Sequence, residues 1–292
     1  MRRFVFSLFT AWAFGQPAAQ AQSGTELLVC GDSLLRIFPG NPPTIGTTPV
    51  FTWHVGEARH LPTKAYQQFR SIDDCKPHPR RNEVLLTSSS GGVGVLDRAT
   101  KQLRFYAPGP NAHSAEWLPG ERIAVALSTA PGGNRIQVYA LAQPDRPVWS
   151  DSLYSAHGLV WDANRRVLYA LGYDQLREYE PAATGFTLRK THPLPDADGH
   201  ELQAIPGTDS LLVSTHGGVW SFDRRTQTFR PFAPLAGVSL VKSVAFYPTD
   251  RRRVAYVRAE ESWWGKSLYF LGERPVRFDG VKLYKIRWWV ER

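Results

Sequence analysis

The sequence predicts an all-β fold, a six-bladed β-propeller of four-stranded antiparallel blades. Three observations predict it: strand-like segments recur at intervals of 39 to 44 residues, no apolar pattern keeps a helical period after residue 22, and strands at the two chain ends complement one another. Repeats of about 40 to 50 residues are typical of propellers when the repeated segments are strand-like. Equivalent blade positions are marked by Asp74, His113, His157, His200 and Lys242, and Lys285 continues the series.

Each repeat contains four strand-like runs in a fixed order. An innermost strand follows the marker residue, and a turn then leads into a second strand rich in β-branched and aromatic residues. The second strands are predicted over 84–87, 123–126, 167–170, 211–214 and 254–257. Third strands alternate polar and apolar residues, as in 135–139 and 218–222, and a fourth strand such as 102–106 follows. Five complete repeats therefore run from about residue 71 to residue 282.

The chain ends supply the sixth blade. A single inner strand at 282–289 has no partners in its own repeat, and the missing second, third and fourth strands are predicted at 26–30, 33–38 and 52–54. Pairing these segments closes the ring and removes two exposed sheet edges, which an open solenoid, the alternative architecture, would keep. Residues 56–70 lack a regular pattern, and we expect a loop that crosses one face.

The N-terminus has the features of a signal peptide. Arg2 and Arg3 precede an apolar run over 4–14, and Ala19-Gln20-Ala21 is a small-residue cleavage site. The run is about half of the roughly 20 residues that a membrane span requires, which disfavours an anchor. We therefore expect a signal peptide at 1–21 and a single propeller domain at 22–292 without a membrane span. The protein is then periplasmic or secreted, and we expect a monomer.

Two cysteines, Cys30 and Cys75, remain after cleavage. An exported protein meets an oxidising compartment, where one disulfide can persist. Two separately buried thiols are the other interpretation, because each cysteine lies in an apolar strand and two cysteines provide no spacing framework. The sequence leaves both interpretations open.

A formal net charge of +9 makes anionic partners conceivable. The arginine clusters, however, fall in polar turns between strands, where solvated loop charges usually lie. They are Arg80-Arg81, Arg165-Arg166, Arg224-Arg225 and Arg251-Arg252-Arg253. An exported protein has little reason to meet nucleic acid, so we expect none, and an acidic sugar or a cell-surface molecule is the better candidate partner.

The candidate site follows from the repeat itself. In a propeller, the residues just before the innermost strands converge at one mouth of the central channel. The predicted ligand-binding residues at this mouth are Asp73, Asp74, His113, His157, His200, Lys242 and Lys285, with Glu116 and Glu201 just inside the strands.

Several chemistries are open to this set. His113, His157 and His200 could hold one divalent metal (manganese, zinc or calcium), with a carboxylate completing the shell. Without a metal, the same imidazoles could recognise a polar ligand, or could hydrogen-bond backbone groups and close the channel. Lys242 and Lys285 could bind a ligand carboxylate, act as a base after desolvation, or form salt bridges with the neighbouring aspartates.

Four segments, together with the marker residues that begin the blades, resemble an uncharacterised family of secreted bacterial six-bladed propellers. They are 28–32, 86–92, 111–116 and 283–288. The resemblance covers nearly the whole mature chain and implies the fold and export. Because no activity is assigned to that family, it assigns no functional residues to this sequence. The histidine cluster is more distantly similar to that of propeller lyases that cleave oligogalacturonate with manganese, which have another blade count and a different motif.

These observations predict an exported propeller that binds a small polar, carbohydrate-derived ligand at the histidine-lined mouth. The rings of Trp263-Trp264, in a neighbouring hairpin, are either a stacking platform for sugars or packing between blades. The alternatives are a metal-dependent lyase or lactone hydrolase at the same site, and a protein-interaction platform that uses the basic rim. No Gly-x-Ser-x-Gly nucleophile elbow occurs, and the sequence alone does not decide whether the protein is an enzyme.

Overall fold

The computed structural model describes residues 24–40, 48–278 and 280–290. These residues form six four-stranded antiparallel sheets that follow one another around a ring. The predicted all-β, six-bladed propeller is therefore confirmed. The predicted signal peptide and its cleavage site lie outside the described residues. None of the described helices has the length and hydropathy needed to cross a membrane.

The strands of each blade run from the channel outward. The first blade joins β1 (Thr25–Gly31), β2 (Leu34–Pro39) and β3 (Phe51–His54) to the last strand, β24 (Leu283–Val290). The second blade contains β4 (Ile72–Pro77), β5 (Glu83–Ser88), β6 (Gly92–Asp97) and β7 (Gln102–Pro108). The third contains β8 (Ala112–Leu118), β9 (Arg122–Leu127), β10 (Arg135–Ala140) and β11 (Trp149–Ser152). The fourth contains β12 (Gly158–Asp162), β13 (Val167–Leu171), β14 (Gln175–Ala182) and β15 (Gly185–Pro193). The fifth contains β16 (Leu202–Ala204), β17 (Ser210–Ser214), β18 (Val219–Asp223) and β19 (Thr228–Pro231). The sixth contains β20 (Val241–Tyr247), β21 (Asp250–Arg258), β22 (Ser267–Phe270) and β23 (Val276–Arg277).

Burial falls from the channel outward within a blade. Every residue of β5 and β13 is buried, because neighbouring blades cover both faces of these second strands. The sequence of β13 is accordingly a continuous apolar run, and β5 has three consecutive apolar residues, Val84–Leu86, instead of an alternating pattern. The outermost strand β15 is exposed along most of its length. The hydrophobic core therefore lies between blades, where for example Trp53 of the first blade belongs to the same cluster as Leu86 and Leu96 of the second.

The ring closes by pairing the two chain ends. Strand β24 pairs antiparallel with β1, from Thr25 opposite Val290 to Gly31 opposite Leu283. The C-terminal strand is thus the innermost strand of the first blade, and the closure predicted from the unpartnered strands is confirmed.

The expected loop at 56–70 is in part helical. A 3₁₀ turn, η1 (Val55–Glu57), and one short helix, α1 (Thr63–Gln68), interrupt it. A second 3₁₀ turn, η2 (Ala233–Leu235), lies between the fifth and sixth blades. The helix is too short for its sequence to show a helical period. It is held by tertiary packing, since Phe69, which follows it, is completely buried against Trp53.

Candidate functional site at the channel mouths

Four innermost strands carry a β-bulge close to their first residue. The extra residue, which has no partner on the second strand, is Asp73 in β4, His113 in β8, Lys242 in β20 and Tyr284 in β24. His157 and His200 hold the same place just before β12 and β16, where their backbone N–H groups bond to the second strand. Bulges re-aim a side chain without ending the sheet. We call these six residues the mouth ring: Asp73, His113, His157, His200, Lys242 and Tyr284.

The backbone before the mouth ring is bent in the same way in four blades. The residue two positions earlier has a positive φ in each of them: Asn111 (51°), Ser155 (48°), Asp198 (64°) and Leu240 (60°). Asn and Asp tolerate this left-handed conformation, whereas for Leu240 it costs about 1–3 kcal/mol. Strained backbone of this kind is common where a side chain must be held in a functional position.

The mouth-ring side chains contact one another in sequence. The imidazoles of His113 and His157 stack with their centroids 4.3 Å apart and their planes 12° apart, and the ring of His157 lies 4.9 Å from that of His200. Lys242 Nζ is 2.6 Å from His200 Nε2. On the other side, the ring of Tyr284 lies 5.8 Å from that of His113. The side chain of His113 is only 13% exposed, so this histidine mouth is narrow.

Backbone hydrogen bonds fix the tautomer of two of the imidazoles, with the proton on Nδ1. His157 Nδ1 donates to the Ser155 carbonyl at 2.8 Å, and His200 Nδ1 donates to the Asp198 carbonyl at 2.7 Å. In a neutral imidazole Nε2 is then an acceptor, and for His200 the Lys242 ammonium is the donor. Burial lowers the pKa of both histidines well below its usual value; for His157 the neighbouring imidazoles add to this, and for His200 the charge of Lys242 does.

The remaining mouth-ring charges come from one lysine and one aspartate. Burial lowers the pKa of Lys242 to about 8, against the opposing effect of the negative charge of Asp198. Asp73 accepts a hydrogen bond from the Ser89 N–H, and its Oδ1 lies 3.4 Å from His113 Nδ1. Among the described residues these two facing atoms have no hydrogen-bond partner, and a small rotation of the imidazole would pair them.

A buried ion network lies one residue deeper in the channel. Arg287 Nη2 is 3.0 Å from Asp74 Oδ1 and 3.1 Å from Glu201 Oε1, and Lys285 Nζ is 3.8 Å from Glu201 Oε2. Ser114 Oγ also donates to Asp74. The charge of Arg287 lowers the pKa of Asp74 to about 2 despite the opposing effect of burial. This network fills the channel below the mouth ring.

The structure changes the places of three predicted site residues. Asp74 and Lys285 belong to the deeper ion network, because the bulges shift the register and put Asp73 and Tyr284 in the mouth ring. Glu116 lies at the far end of its strand and pairs with Lys76 at 3.0 Å. The other six predicted residues lie where the repeat suggested, with Glu201 just below the ring. The expected salt bridges from Lys242 and Lys285 to the aspartates are replaced by contacts to His200 and Glu201.

The geometry does not support the metal site predicted at His113, His157 and His200. A metal lies in the plane of an imidazole, along a nitrogen lone pair, and the stacked rings of His113 and His157 direct their lone pairs in parallel planes instead of toward one point. Within 24–40, 48–278 and 280–290, no group of three or more His, Cys, Asp or Glu side chains is arranged to hold a metal ion.

The tryptophan pair and the cysteine pair that the sequence analysis singled out both lie beside the histidine mouth. Trp263 is 41% exposed, and its ring packs edge-on to Tyr284 at 5.7 Å, whereas the Trp264 ring is covered by lysine side chains. Cys30 and Cys75 are buried free thiols with their sulfurs 2.6 Å apart. The structure thus has the two buried thiols of one interpretation, but they are neighbours and not separate.

The opposite mouth contains a cavity that sequence analysis missed. It has a volume of about 610 Å³ and is formed where the innermost strands end. We call it the tryptophan mouth, after Trp117, Trp161, Trp288 and Trp289 in its lining. In five blades, the residue three positions after the mouth-ring residue lines this cavity. These residues are Lys76, Glu116, Val160, Gln203 and Arg287. The constant spacing is the sequence signal from which they could have been predicted.

Solved structures share the architecture at low sequence identity. A chain in the crystal structure of a nidogen/laminin complex is 14% identical, with a TM-score of 0.67 over 92% of this chain and 100% of that chain. A chain in the crystal structure of a mitotic checkpoint complex is 15% identical, with a TM-score of 0.59 over 87% of this chain and 72% of that chain. These likenesses show the fold alone. No curated protein matches the sequence.

The sequence does match the model of one protein family. The match covers residues 46–176, from the end of the first blade to the fourth. Together with the six blades, it confirms the expected resemblance to an uncharacterised family of propellers. Over residues 46–176, the chain is similar to the family of unknown function DUF6528.

Proposed function

We propose that the protein binds a small polar, carbohydrate-derived ligand at the histidine mouth. The observation that carries the proposal is the mouth ring: bulges and strained turns in separate blades bring His113, His157, His200 and Lys242 into mutual contact. Maintaining this arrangement has a backbone cost that packing alone does not require.

The chemistry of the ring suits a hydroxylated ligand with an acidic group. Burial lowers the pKa of Lys242 to about 8, so its ammonium is still largely charged at neutral pH, and it lies in the mouth ring. The Nδ1–H of His157 is already used on a backbone carbonyl, which leaves Nε2 of this imidazole as an acceptor for a sugar hydroxyl. The exposed ring of Trp263, which reaches the histidines through Tyr284, offers a face on which the C–H side of a sugar ring can stack.

Calorimetric titration with galacturonate and glucuronate oligomers tests this proposal. We expect saturable binding to the wild type, and at least a tenfold weaker Kd in His157→Ala and in Lys242→Met. His216→Ala is the matched control, because it removes a largely exposed imidazole from the same face outside the ring. Unchanged binding in both ring variants, or no binding of any acidic saccharide, contradicts the proposal.

We also propose that the protein is exported and cleaved after Ala21. Support comes from the basic, apolar and small-residue regions of 1–21. Mass spectrometry of protein from a periplasmic or culture fraction should give a mature N-terminus at Gln22. Protein found only in the cytoplasmic fraction with Arg2 retained contradicts export.

A further inference from the structure

We infer that the tryptophan mouth is a second binding site, and that it takes a neutral saccharide of one or two rings. A cavity of about 610 Å³ lies within the size range of small-molecule sites and has room for such a ligand. It is separated from the histidine mouth by the buried network of Arg287, Asp74 and Glu201. The two mouths are therefore different sites on one channel.

The walls of this cavity are aromatic and rigid. Trp117, Trp161, Trp288 and Phe246 come from four different innermost strands, and prolines lie between them. Each ring makes a T-shaped contact with a second aromatic ring. The centroid distances are 4.6 Å for Trp117 and His78, 5.1 Å for Trp288 and Tyr247, 6.2 Å for Trp161 and Phe186, and 6.0 Å for Phe246 and Phe232. Flat, fixed aromatic faces suit the C–H faces of a pyranose ring.

The floor of the cavity offers a donor and an acceptor side by side. Lys76 Nζ lies 3.0 Å from Glu116 Oε2 and also donates to the Leu159 carbonyl at 2.7 Å, which leaves one of its three N–H groups for a ligand. The Glu116 carboxylate can accept further hydrogen bonds. Two vicinal hydroxyls of a sugar have a similar separation, about 3 Å, and can accept from Lys76 and donate to Glu116 at the same time.

The charge balance of the floor selects a neutral ligand. Lys76 and Glu116 neutralise each other, and Arg287 is already paired with Asp74 and Glu201. A charged ligand would have to displace one partner and leave the other charge buried and unpaired, which is costly. At the rim, His78 Nδ1 accepts from the backbone N–H of Arg81, and burial lowers the pKa of His78, so this imidazole adds no charge near neutral pH.

Isothermal titration with cellobiose, maltose and xylobiose tests the inference. We expect at least one disaccharide to bind saturably and its Kd to rise at least tenfold in Trp161→Ala. Glu116→Gln keeps the shape of the floor and removes the carboxylate charge, so it should weaken disaccharide binding at least threefold. This variant tests the inference independently if Trp161→Ala folds poorly. Trp220→Ala is the matched control, a partly exposed tryptophan on β18 that is absent from the lining of this cavity and from the mouth ring, and should leave the disaccharide Kd unchanged.

The two proposals fail separately in this design. If His157→Ala loses uronate binding but keeps disaccharide binding, the two mouths are separate binding sites. Absence of saturable binding by all three disaccharides overturns the inference. So does binding that is unaffected by Trp161→Ala and Glu116→Gln. Binding of the hydrophobic anion 8-anilinonaphthalene-1-sulfonate in the cavity without displacement by any disaccharide also overturns it, because the cavity would then take an anion and no sugar.

Discussion

Three imidazoles share a space from which water is nearly excluded, and this governs their protonation. His157 and His200 are each less than a tenth exposed, and each already uses Nδ1–H on a backbone carbonyl. A second proton would put a charge beside another imidazole or beside Lys242. The folded protein therefore holds these side chains neutral at pH values where an unfolded chain would protonate them.

Stability should consequently fall on mild acidification. The folded pKa values of His157 and His200 lie below the unfolded value of 6.5, so their effect is absent above pH 6.5 and grows as the pH falls toward the folded values. Each histidine then lowers the free energy of unfolding by up to about 1.4 kcal/mol per pH unit. Urea unfolding at pH 7.5, 6.5 and 5.5 measures this. A His157→Gln variant should lose less stability than the wild type over this range, and equal slopes would show that the mouth ring does not titrate in this way.

Arg287 is the main partner of both buried carboxylates in the channel, and it compensates their negative charge. Arg287→Met leaves the carboxylates of Asp74 and Glu201 without their main partner, and we expect a loss of about 3–5 kcal/mol in the free energy of unfolding. Arg252→Met is the control, because the Arg252–Asp250 pair is largely solvent-exposed, and it should change stability by less than about 1 kcal/mol. Denaturant unfolding compares the two, and a similar small effect in both variants would contradict the role of the network.

At the scale of elements, strands were predictable and bulges were not. Blades are local meanders, so strand order follows chain order, and a repeat at intervals of 39 to 44 residues predicts it. A bulge adds one residue without changing the apolar pattern, and it put Asp73 and Tyr284 where the period suggested Asp74 and Lys285. Glu116 was assigned to the wrong mouth for another reason: it follows His113 by three residues, and a rise of about 3.3 Å per residue places it about 10 Å further along the channel, toward the opposite mouth.

Arg287 of the deeper network was missed for a different reason, although Asp74, Glu201 and Lys285 were predicted site residues. Arginine is an exposed residue in most proteins, and nothing in the local sequence of β24 shows that Arg287 meets carboxylates from β4 and from just before β16. Such a contact depends on three strands far apart in sequence. The short helix α1 was missed because six residues carry too little periodicity to predict it.

Strands β1 and β4 contact each other through the free thiols of Cys30 and Cys75. Their sulfurs are 2.6 Å apart, and burial raises the pKa of the Cys30 thiol well above its usual value, so the folded protein contains little thiolate. We expect refolding with oxidised glutathione to convert the two thiols to a disulfide, with two molecules of reduced glutathione released. Folded, reduced protein should react much more slowly.

The disulfide should stabilise the fold by up to about 4 kcal/mol, since it closes a loop of 45 residues. Intact mass after alkylation in denaturant detects the bond, and melting with and without reductant measures its effect. Cys75→Ala should melt at one temperature under both conditions. Two alkylatable thiols in protein refolded with oxidised glutathione would contradict this prediction.

On the scale of the whole molecule, six blades around one axis create two mouths with different chemistry. The mouth ring lies where innermost strands begin, and the tryptophan mouth lies where they end. Between them the buried charges of Arg287, Lys285 and Glu201 fill the channel. All these groups depend on β24, which supplies Tyr284 to one mouth, Trp288 to the other and two cations to the network between them.

Ring closure should therefore be a condition for folding and for both sites. A chain that ends at residue 282 lacks β24, which leaves β1 as an unpaired edge and removes the contacts of β24 with β4 and β20. We expect this chain to lose the cooperative thermal transition, and a synthetic peptide of residues 283–290 to restore it when added in excess. The same peptide with Ile286→Asp should fail, because Ile286 is completely buried. A truncated chain that melts cooperatively at the wild-type temperature would show that the other five blades hold the ring without the closing strand.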